Sequence, residues 1–319
     1  MTMRRALLLY NPVAGRNPAR RQRDLDVALN LLRAGGIDCQ AEAIDSPSSA
    51  SGQARQAISA GYDAIIACGG DGTMHAVLQG IVGSGAALGV LPAGTGNVLA
   101  KNLGLPLEAS AAAQALLDSQ PRQIAVGKIE SSSAEGKVSR YFLLNAGVGL
   151  DALGIYRSTY AWKSRFGVWA YYLHGLRLAA THSFPLFTAE FSESSGAPRQ
   201  AAVSQAAAFR VPTLGWPIGS LTPQASLERD DLQLLLFKTQ RRFRYLQYSL
   251  RSALNLPRAT PEIELLHARE LLCSATSSSS EKIYAQADGE PLGTLPVRIS
   301  MAAEKVTLLF PTASKPKRQ

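Results

Sequence analysis

The sequence predicts an α/β fold: an N-terminal doubly wound α/β domain followed by a C-terminal β-sandwich domain. Three observations carry this. The apolar run Ala64-Ile65-Ile66-Ala67 breaks into Cys68-Gly69-Gly70-Asp71-Gly72-Thr73 and is followed by Met74, Val77, Leu78, Ile81 and Val82 at spacings of three and four, the pattern of strand, glycine loop and helix. The run 87–91 repeats the arrangement, opening into Pro92-Ala93-Gly94-Thr95-Gly96-Asn97 before a helix that starts near Val98. After Pro121 the texture changes to short strands joined by turn-rich or serine-rich connections. The expected domains are 1–124 and 125–310, with 311–319 a polar, basic, disordered tail.

Taken in order, 5–10 is a strand that breaks into Asn11-Pro12-Val13-Ala14-Gly15 and a basic run with Arg16, Arg20, Arg21 and Arg23. Leu25, Leu29 and Leu32 give a helical face that Gly35-Gly36 ends. A strand over 37–44 and a helix over 49–60 follow. Alternating units of this kind bring the loops after successive parallel strands to one carboxyl edge. In the second half, strands are expected at 141–145, 186–191, 201–209, 232–237, 282–287, 297–301 and 305–310, with Ser131-Ser132-Ser133 and 277–280 as mobile loop tips. One helix carries Phe166, Trp169, Leu173 and Leu176 on a face, with Lys163, Arg165 and Arg177 nearby. The stretch Arg241-Arg242-Phe243-Arg244-Tyr245, continuing to Arg251, suits the interfacial region of a membrane, or equally a solvated amphipathic helix with ordinary core packing.

Composition narrows the class. Of 319 residues, 46% are hydrophobic and 18% charged, which indicates packed globular domains. Cys39, Cys68 and Cys273 are too few and too scattered for a disulfide framework or a metal cluster, so a reducing compartment is expected. The amino terminus lacks the apolar length of a signal peptide, and no run is long enough to span a bilayer; a cytoplasmic location is expected. The net charge of +9 favours an anionic partner. Charge alone does not choose among nucleic acid, nucleotide and an anionic membrane surface, and an excess spread over solvated faces is the alternative; the basic residues form no recognised nucleic-acid module, so no nucleic-acid partner is expected.

Three glycines in four positions let backbone approach a bulky anion, and the helix that follows directs its first N–H groups at the loop, with Thr73 placed to cap it. Asp71 would repel a phosphate unless a divalent cation lay between them, so the loop suits a metal-bound polyphosphate; a plain glycine turn with a solvated Asp71 is the alternative. No Walker or Rossmann signature is present. Ala287-Asp288-Gly289-Glu290-Pro291 offers two carboxylates at a strand end that could accept a hydroxyl proton, or an ordinary Asp-Gly turn.

Asn11-Pro-Val-Ala-Gly15, Gly69-Gly-Asp-Gly-Thr73, Gly94-Thr-Gly-Asn97, Asn145-Ala-Gly-Val-Gly149 with Asp151, and Asp288-Gly-Glu290 resemble, in order and spacing, the diacylglycerol kinase and sphingosine kinase family of lipid kinases, most of all its small bacterial members. The resemblance spans nearly the whole chain. It implies ATP- and Mg2+-dependent phosphorylation of a lipid hydroxyl by a peripheral enzyme at the inner membrane face, with the N-terminal domain holding nucleotide, the β-sandwich holding lipid and the site in the cleft between them. By position, Asn11, Pro12, Gly15, Gly69, Gly70, Asp71, Gly72, Thr73, Gly94, Thr95, Gly96 and Asn97 would contact ATP, Asp71 would position metal and phosphate, and Asp288 and Glu290 would supply the base. A homodimer is left open. The family often has Asn-Glu where this chain has His75-Ala76, and His75 is read as a core or surface residue. Bacterial diacylglycerol kinases also carry acids of a structural magnesium network at positions matching Val98 and Ala125, and in an Asp-Asp-Gly motif that reads here Glu228-Arg229-Asp230-Asp231. That network is not expected in this chain. Val98 makes its stretch resemble the sphingosine kinase version. The rival readings are a small-molecule kinase of the NAD kinase or phosphofructokinase type, which share a Gly-Gly-Asp-Gly loop, and a degenerate lipid-binding protein without activity.

Overall fold

The computed structural model describes residues 3–13, 17–46, 48–133, 136–157, 182–193, 196–215, 219–254, 256, 260–276 and 281–312. The chain divides into two compact units, residues 1–124 with 304–319, and residues 125–303.

The first unit runs β1 (Arg5–Tyr10), α1 (Pro18–Ala34), β2 (Asp38–Ala43), α2 (Ala50–Ser59), β3 (Ala64–Gly69), α3 (Asp71–Ile81), β4 (Ala87–Pro92), α4 (Val98–Asn102) and α5 (Ala109–Leu117). Its strands are parallel in the order β2-β1-β3-β4. β3 and β4 are buried at every position, as strands covered on both faces must be. Leu25, Leu29 and Leu32 of α1 pack with Ala112, Ala113 and Leu116 of α5 over one face. α2 and α3 pack closely together, because a Cβ on Gly80 would run into the backbone of Ser51. This is the doubly wound arrangement, and the order reverses between β1 and β3, so the loops after those strands flank a crevice at the carboxyl edge. The last strand, β15 (Val297–Phe310), adds to β4 in parallel with Thr307 opposite Ala87. Residues 304–310, assigned to the second domain from sequence, therefore belong to the first unit: β15 is one long strand where two short ones were expected, and only its first half pairs in the second unit.

The second unit contains most of β5 (Gln120–Ser133), then β6 (Gly136–Phe142), β7 (Asn145–Val148), α6 (Leu150–Arg157), β8 (Phe187–Glu193), β9 (Arg199–Val203), β10 (Gln205–Phe209), β11 (Leu232–Phe237), α7 (Arg242–Ala253), β12 (Ile263–Ala275), β13 (Tyr284–Ala287) and β14 (Glu290–Thr294). The path β14-β13-β7-β10-β11-β12-β15 is antiparallel, with β5–β6 and β8–β9 as added ribbons. Inward faces of the strands share one core, including Phe142, Phe187, Leu234, Leu271 and Ile299. α7 lies on the outer side, where Tyr245 and Tyr248 cover Phe209, Leu235 and Phe237. This double coverage is why β11 is apolar at nearly every position and buried throughout.

Several local expectations change. The single strand over 201–209 is two, β9 and β10, divided at buried Ser204, whose hydroxyl meets Tyr245 Oη at 2.6 Å. Ser131 and its neighbours close β5 instead of forming a loop tip, and the buried Ser131 hydroxyl donates to the Thr294 carbonyl at 2.8 Å. The strand over 141–145 is the end of β6 and the start of β7. The helix face of Phe166, Trp169, Leu173 and Leu176, the serines 277–280 and the tail from 313 lie outside the described residues.

Candidate active site

Three loops at the carboxyl edge of the parallel sheet meet in the first unit. After β1, the Asn11 amide donates to the Cys68 carbonyl at 3.1 Å and its side-chain oxygen accepts from Val13 N–H at 3.0 Å. Asn11 Nδ2 is 3.5 Å from Thr73 Oγ1, which ties this loop to the glycine loop. Pro12 is exposed beside it, and Gly15 lies outside the described residues.

After β3, the N-cap position of α3 is Gly70, not Thr73; Thr73 sits inside the first turn and is buried. Its side chain occupies the space a Cβ on Gly69 would need, which is why position 69 is glycine. No side chain caps this 11-residue helix, so its N-terminus stays suited to an anion. Asp71 opens the helix, and its Oδ1 accepts from Leu99 N–H at 3.1 Å, fastening the glycine loop to the start of α4.

After β4, a Cβ on Gly94 would overlap the Cα of Gly70, and one on Gly96 would stand 2.9 Å from Asp71 Oδ2. The two glycine loops are thus packed backbone to backbone around the Asp71 carboxylate. Asn97 holds the second loop by accepting from Gly94 N–H at 3.0 Å and donating to the Gly94 carbonyl at 2.9 Å, in a left-handed conformation (φ 49°) that asparagine tolerates. Gly72 and Thr95 are exposed at the rim. Burial pushes the Cys68 thiol up to about 12, so it stays protonated and serves as packing. His75 is buried in α3, in line with a core role.

In the second unit, Asp288 and Gly289 form a two-residue hairpin turn between β13 and β14, both with positive φ (48° and 84°). The Asp288 carboxylate is buried and accepts three backbone N–H bonds, from Leu143 at 2.9 Å, Leu144 at 2.8 Å and Asn145 at 3.0 Å. Its own N–H donates to the Asn145 carbonyl at 2.8 Å. Both oxygens are engaged in holding the hairpin tip to the start of β7. Glu290, expected to act with it, is exposed at the start of β14. The structure thus gives the two acids different environments: one anchors, one is free to meet a substrate.

Sequence reasoning did not find Gln286. Its Oε1 accepts from Gly289 N–H at 2.9 Å and its Nε2 donates to Asp151 at 3.2 Å, linking the hairpin to the first turn of α6. Burial raises the pKa of Asp151, its Oδ1 has no partner among the described residues, and a Cβ on Gly147 would collide with its carboxyl. The one available signal was the position of Gln286, two residues before Asp288 on the same side of β13.

The residues do not fit a structural magnesium ion in the second unit. Arg210, wholly buried, places its guanidinium among backbone carbonyls: Nη2 donates to Ala125 at 2.9 Å and Leu227 at 2.7 Å, and Nη1 to Asp231 at 3.0 Å and to Arg229. Burial lowers its pKa to about 10, which leaves it charged at neutral pH. Both oxygens of Asp231 are taken by Arg229 at 2.6 Å, and His267 Nδ1 is 3.2 Å from Oδ1. The Arg229 hydrogen bond holds the Asp231 carboxyl below its usual range. Among the described residues no group of three or more His, Cys, Asp or Glu could hold a metal. The Arg210 guanidinium thus places a positive charge among these carbonyls, where a second cation would be repelled. The nucleotide-free protein is accordingly expected to melt at the same temperature with EDTA as with millimolar magnesium, measured by circular dichroism.

The comparisons with known proteins agree with the motifs. Residues 5–129 match the family model of the diacylglycerol kinase catalytic domain. The chain is 30% identical over 177 residues to a diacylglycerol kinase of Staphylococcus saprophyticus, covering 55% of each chain. It is 32% identical over 177 residues to one of Staphylococcus epidermidis, covering 55% of this chain and 53% of that one. The chain thus spans about half the length of the curated relatives it matches. A crystal structure of a diacylglycerol kinase from Bacillus anthracis shares the fold with a TM-score of 0.71 at 18% identity, over 97% of both chains. Another chain from that organism gives 0.77 at 19% over 99% of both. The chain is thus similar to diacylglycerol kinases, and residues 5–129 match that family's catalytic-domain model.

Proposed function

We propose that the protein is a lipid kinase that transfers the γ-phosphoryl group of Mg·ATP to the hydroxyl of a diacylglycerol-like or sphingoid lipid. The observation that carries the reading is the Asp71 carboxylate, fixed by Leu99 N–H between two glycine loops too close together for a Cβ at Gly94 or Gly96. The bound Mg·ATP supplies the phosphoryl group, with charge on its equatorial oxygens to be neutralised. Asp71 would hold the metal, and Gly70, Gly72, Gly94 and Thr95 would face the phosphates, with Asn11 and Asn97 keeping the loops in place. Glu290 would take the proton of the acceptor hydroxyl, and Asp288 acts as a positioning residue by anchoring the hairpin from which Glu290 projects.

The test is incubation of purified protein with γ-labelled ATP and a panel of lipid acceptors, followed by organic extraction. Label in the organic phase supports the reading. Label confined to an aqueous product would point to a small-molecule kinase, and no ATP consumption with any lipid would leave a non-catalytic binding protein. Glu290→Gln is expected to lower transfer by roughly 10²–10⁴-fold, the range of general-base contributions. Its melting temperature should stay unchanged because the side chain is exposed.

A further inference from the structure

We propose that α7 is a docking element for an anionic bilayer, inserting its outward apolar stripe between lipid headgroups while flanking arginines meet the headgroup charge. The inference extends the lipid-kinase reading by naming the surface that meets the membrane.

The helix has two apolar faces and only one is used. Tyr245, Tyr248 and Ser252 are buried against the second unit. At about 100° per residue, Phe243, Leu246, Leu250 and Leu254 fall together on the opposite side. They are exposed by 69%, 42%, 61% and 59%. A helix on a soluble surface ordinarily turns polar residues outward, so a row of one phenylalanine and three leucines needs a partner. Leu256, just past the helix, is also 45% exposed. The other large exposed hydrophobics among the described residues, such as Val13, Val27 and Leu107, are not on this helix. Five of the ten large exposed hydrophobics among the described residues lie on this helix or just past it.

The charge beside the stripe selects the partner. Arg242 lies along one flank and Arg244 and Arg251 along the other, with Arg241 at the helix start. Among the described residues, the acid paired with these arginines is Glu262, which pairs with Arg244 and stands 3.7 Å from Arg241, so the described surface keeps a positive excess. A row of large apolar side chains bordered on both sides by arginine matches the headgroup boundary of a membrane containing anionic lipid: the carbon chains enter the acyl region and the guanidinium groups stay at phosphate level. A second copy of this chain, also at net charge +9, would bring like charges together on this face.

The experiment is co-sedimentation of the full chain with vesicles of phosphatidylcholine alone and of phosphatidylcholine with phosphatidylglycerol. The wild type is expected to partition onto the anionic vesicles. Phe243→Ser with Leu250→Ser should reduce that partition at least roughly tenfold, since two large apolar side chains lose their burial. Arg242→Gln with Arg251→Gln should remove most of the preference for anionic vesicles while leaving weak binding to neutral ones. All four side chains lie off the helix's buried face, so both variants should melt like the wild type, which separates lost docking from lost fold. Equal binding of wild type and the double-serine variant would overturn the proposal. So would light scattering that shows a dimer dispersed by the double-serine change while vesicle binding persists. No kinase activity enters these readouts: docking through α7 with no phosphate transfer would sink the catalytic reading and keep this one, and transfer with unaltered vesicle binding would do the reverse.

Discussion

Asp71→Asn is expected to lower phosphate transfer to lipid by about 10³-fold or more, the scale on which loss of a charge-stabilising group in phosphoryl transfer is felt. The change is chosen to remove charge and little else. Asparagine still offers an oxygen to Leu99 N–H, the bond that joins the glycine loop to α4, and it fits beside Gly96 where the carboxylate now sits. The melting temperature should therefore move by only a degree or two for a change that spares the loop's packing. What is lost is the single negative charge between the two glycine loops, the feature that a metal-bound triphosphate needs and an ordinary glycine turn does not. Single-turnover measurement with labelled ATP and lipid micelles reads the effect directly. Full turnover in this variant would remove Asp71 from the chemistry and return the loop to a purely structural role. The contrast with Glu290→Gln is informative: loss of metal positioning should raise the apparent KM for Mg·ATP as well as lowering kcat, whereas loss of the base should act on kcat alone.

The first unit was legible because its information is local. β3 and β4 are continuous, largely apolar runs that lead into glycine loops, and such runs have few other readings in an alternating chain. Even there, Thr73 could not be placed from sequence, since the choice between capping the helix and filling the space beside Gly69 depends on how closely the β1 and β4 loops approach. The second unit hides more. β12, with Glu264, His267, Arg269 and Glu270 among its leucines, alternates too irregularly to be read as a strand, and it pairs with three different strands. The run 201–209 looks unbroken, but Ser204 turns inward to satisfy the Phe237 carbonyl and Tyr245, and the chain changes pairing partner there, β9 going to β8 and β10 to β7 and β11. Arg210 reads as a surface cation in any composition-based scan; only four converging carbonyls explain its burial. The basic aromatic stretch at 241–251 had two readings; the structure shows a helix with its tyrosines packed on the core, as the second expects, and leaves phenylalanine and leucines outward. Sequence gave the Asp288-Gly289-Glu290 motif and the turn alternative side by side. The structure contains the turn, which buries the Asp288 carboxylate against three N–H groups and leaves Glu290 exposed.

Asp288→Ala is expected to destabilise the second unit by at least about 3 kcal/mol, because a buried N–H left without an acceptor costs about 1–3 kcal/mol and three are released at once. The N–H groups of Leu143, Leu144 and Asn145 sit in a tightly packed stretch between β6 and β7, with Leu143 and Leu144 both buried. Alanine at φ 48° adds backbone strain that aspartate and asparagine bear better. Asp288→Asn is the separating variant. Its side-chain oxygen can keep the bonds from Leu144 and Asn145, both made to Oδ1, but its amide group would face the Leu143 N–H donor to donor. The cost should fall to roughly that of one buried bond, about 1–3 kcal/mol. A urea titration followed by circular dichroism gives both values, and the order Ala worse than Asn is the diagnostic. A general base would behave differently: its removal would leave the urea midpoint in place and abolish turnover in alanine and asparagine alike. If Asp288→Asn melts like the wild type yet transfers no phosphate, the anchor assignment fails and Asp288 returns to the reacting atoms; if it is less stable but turns over once folded, Glu290 carries the proton transfer and Asp288 holds the hairpin that presents it.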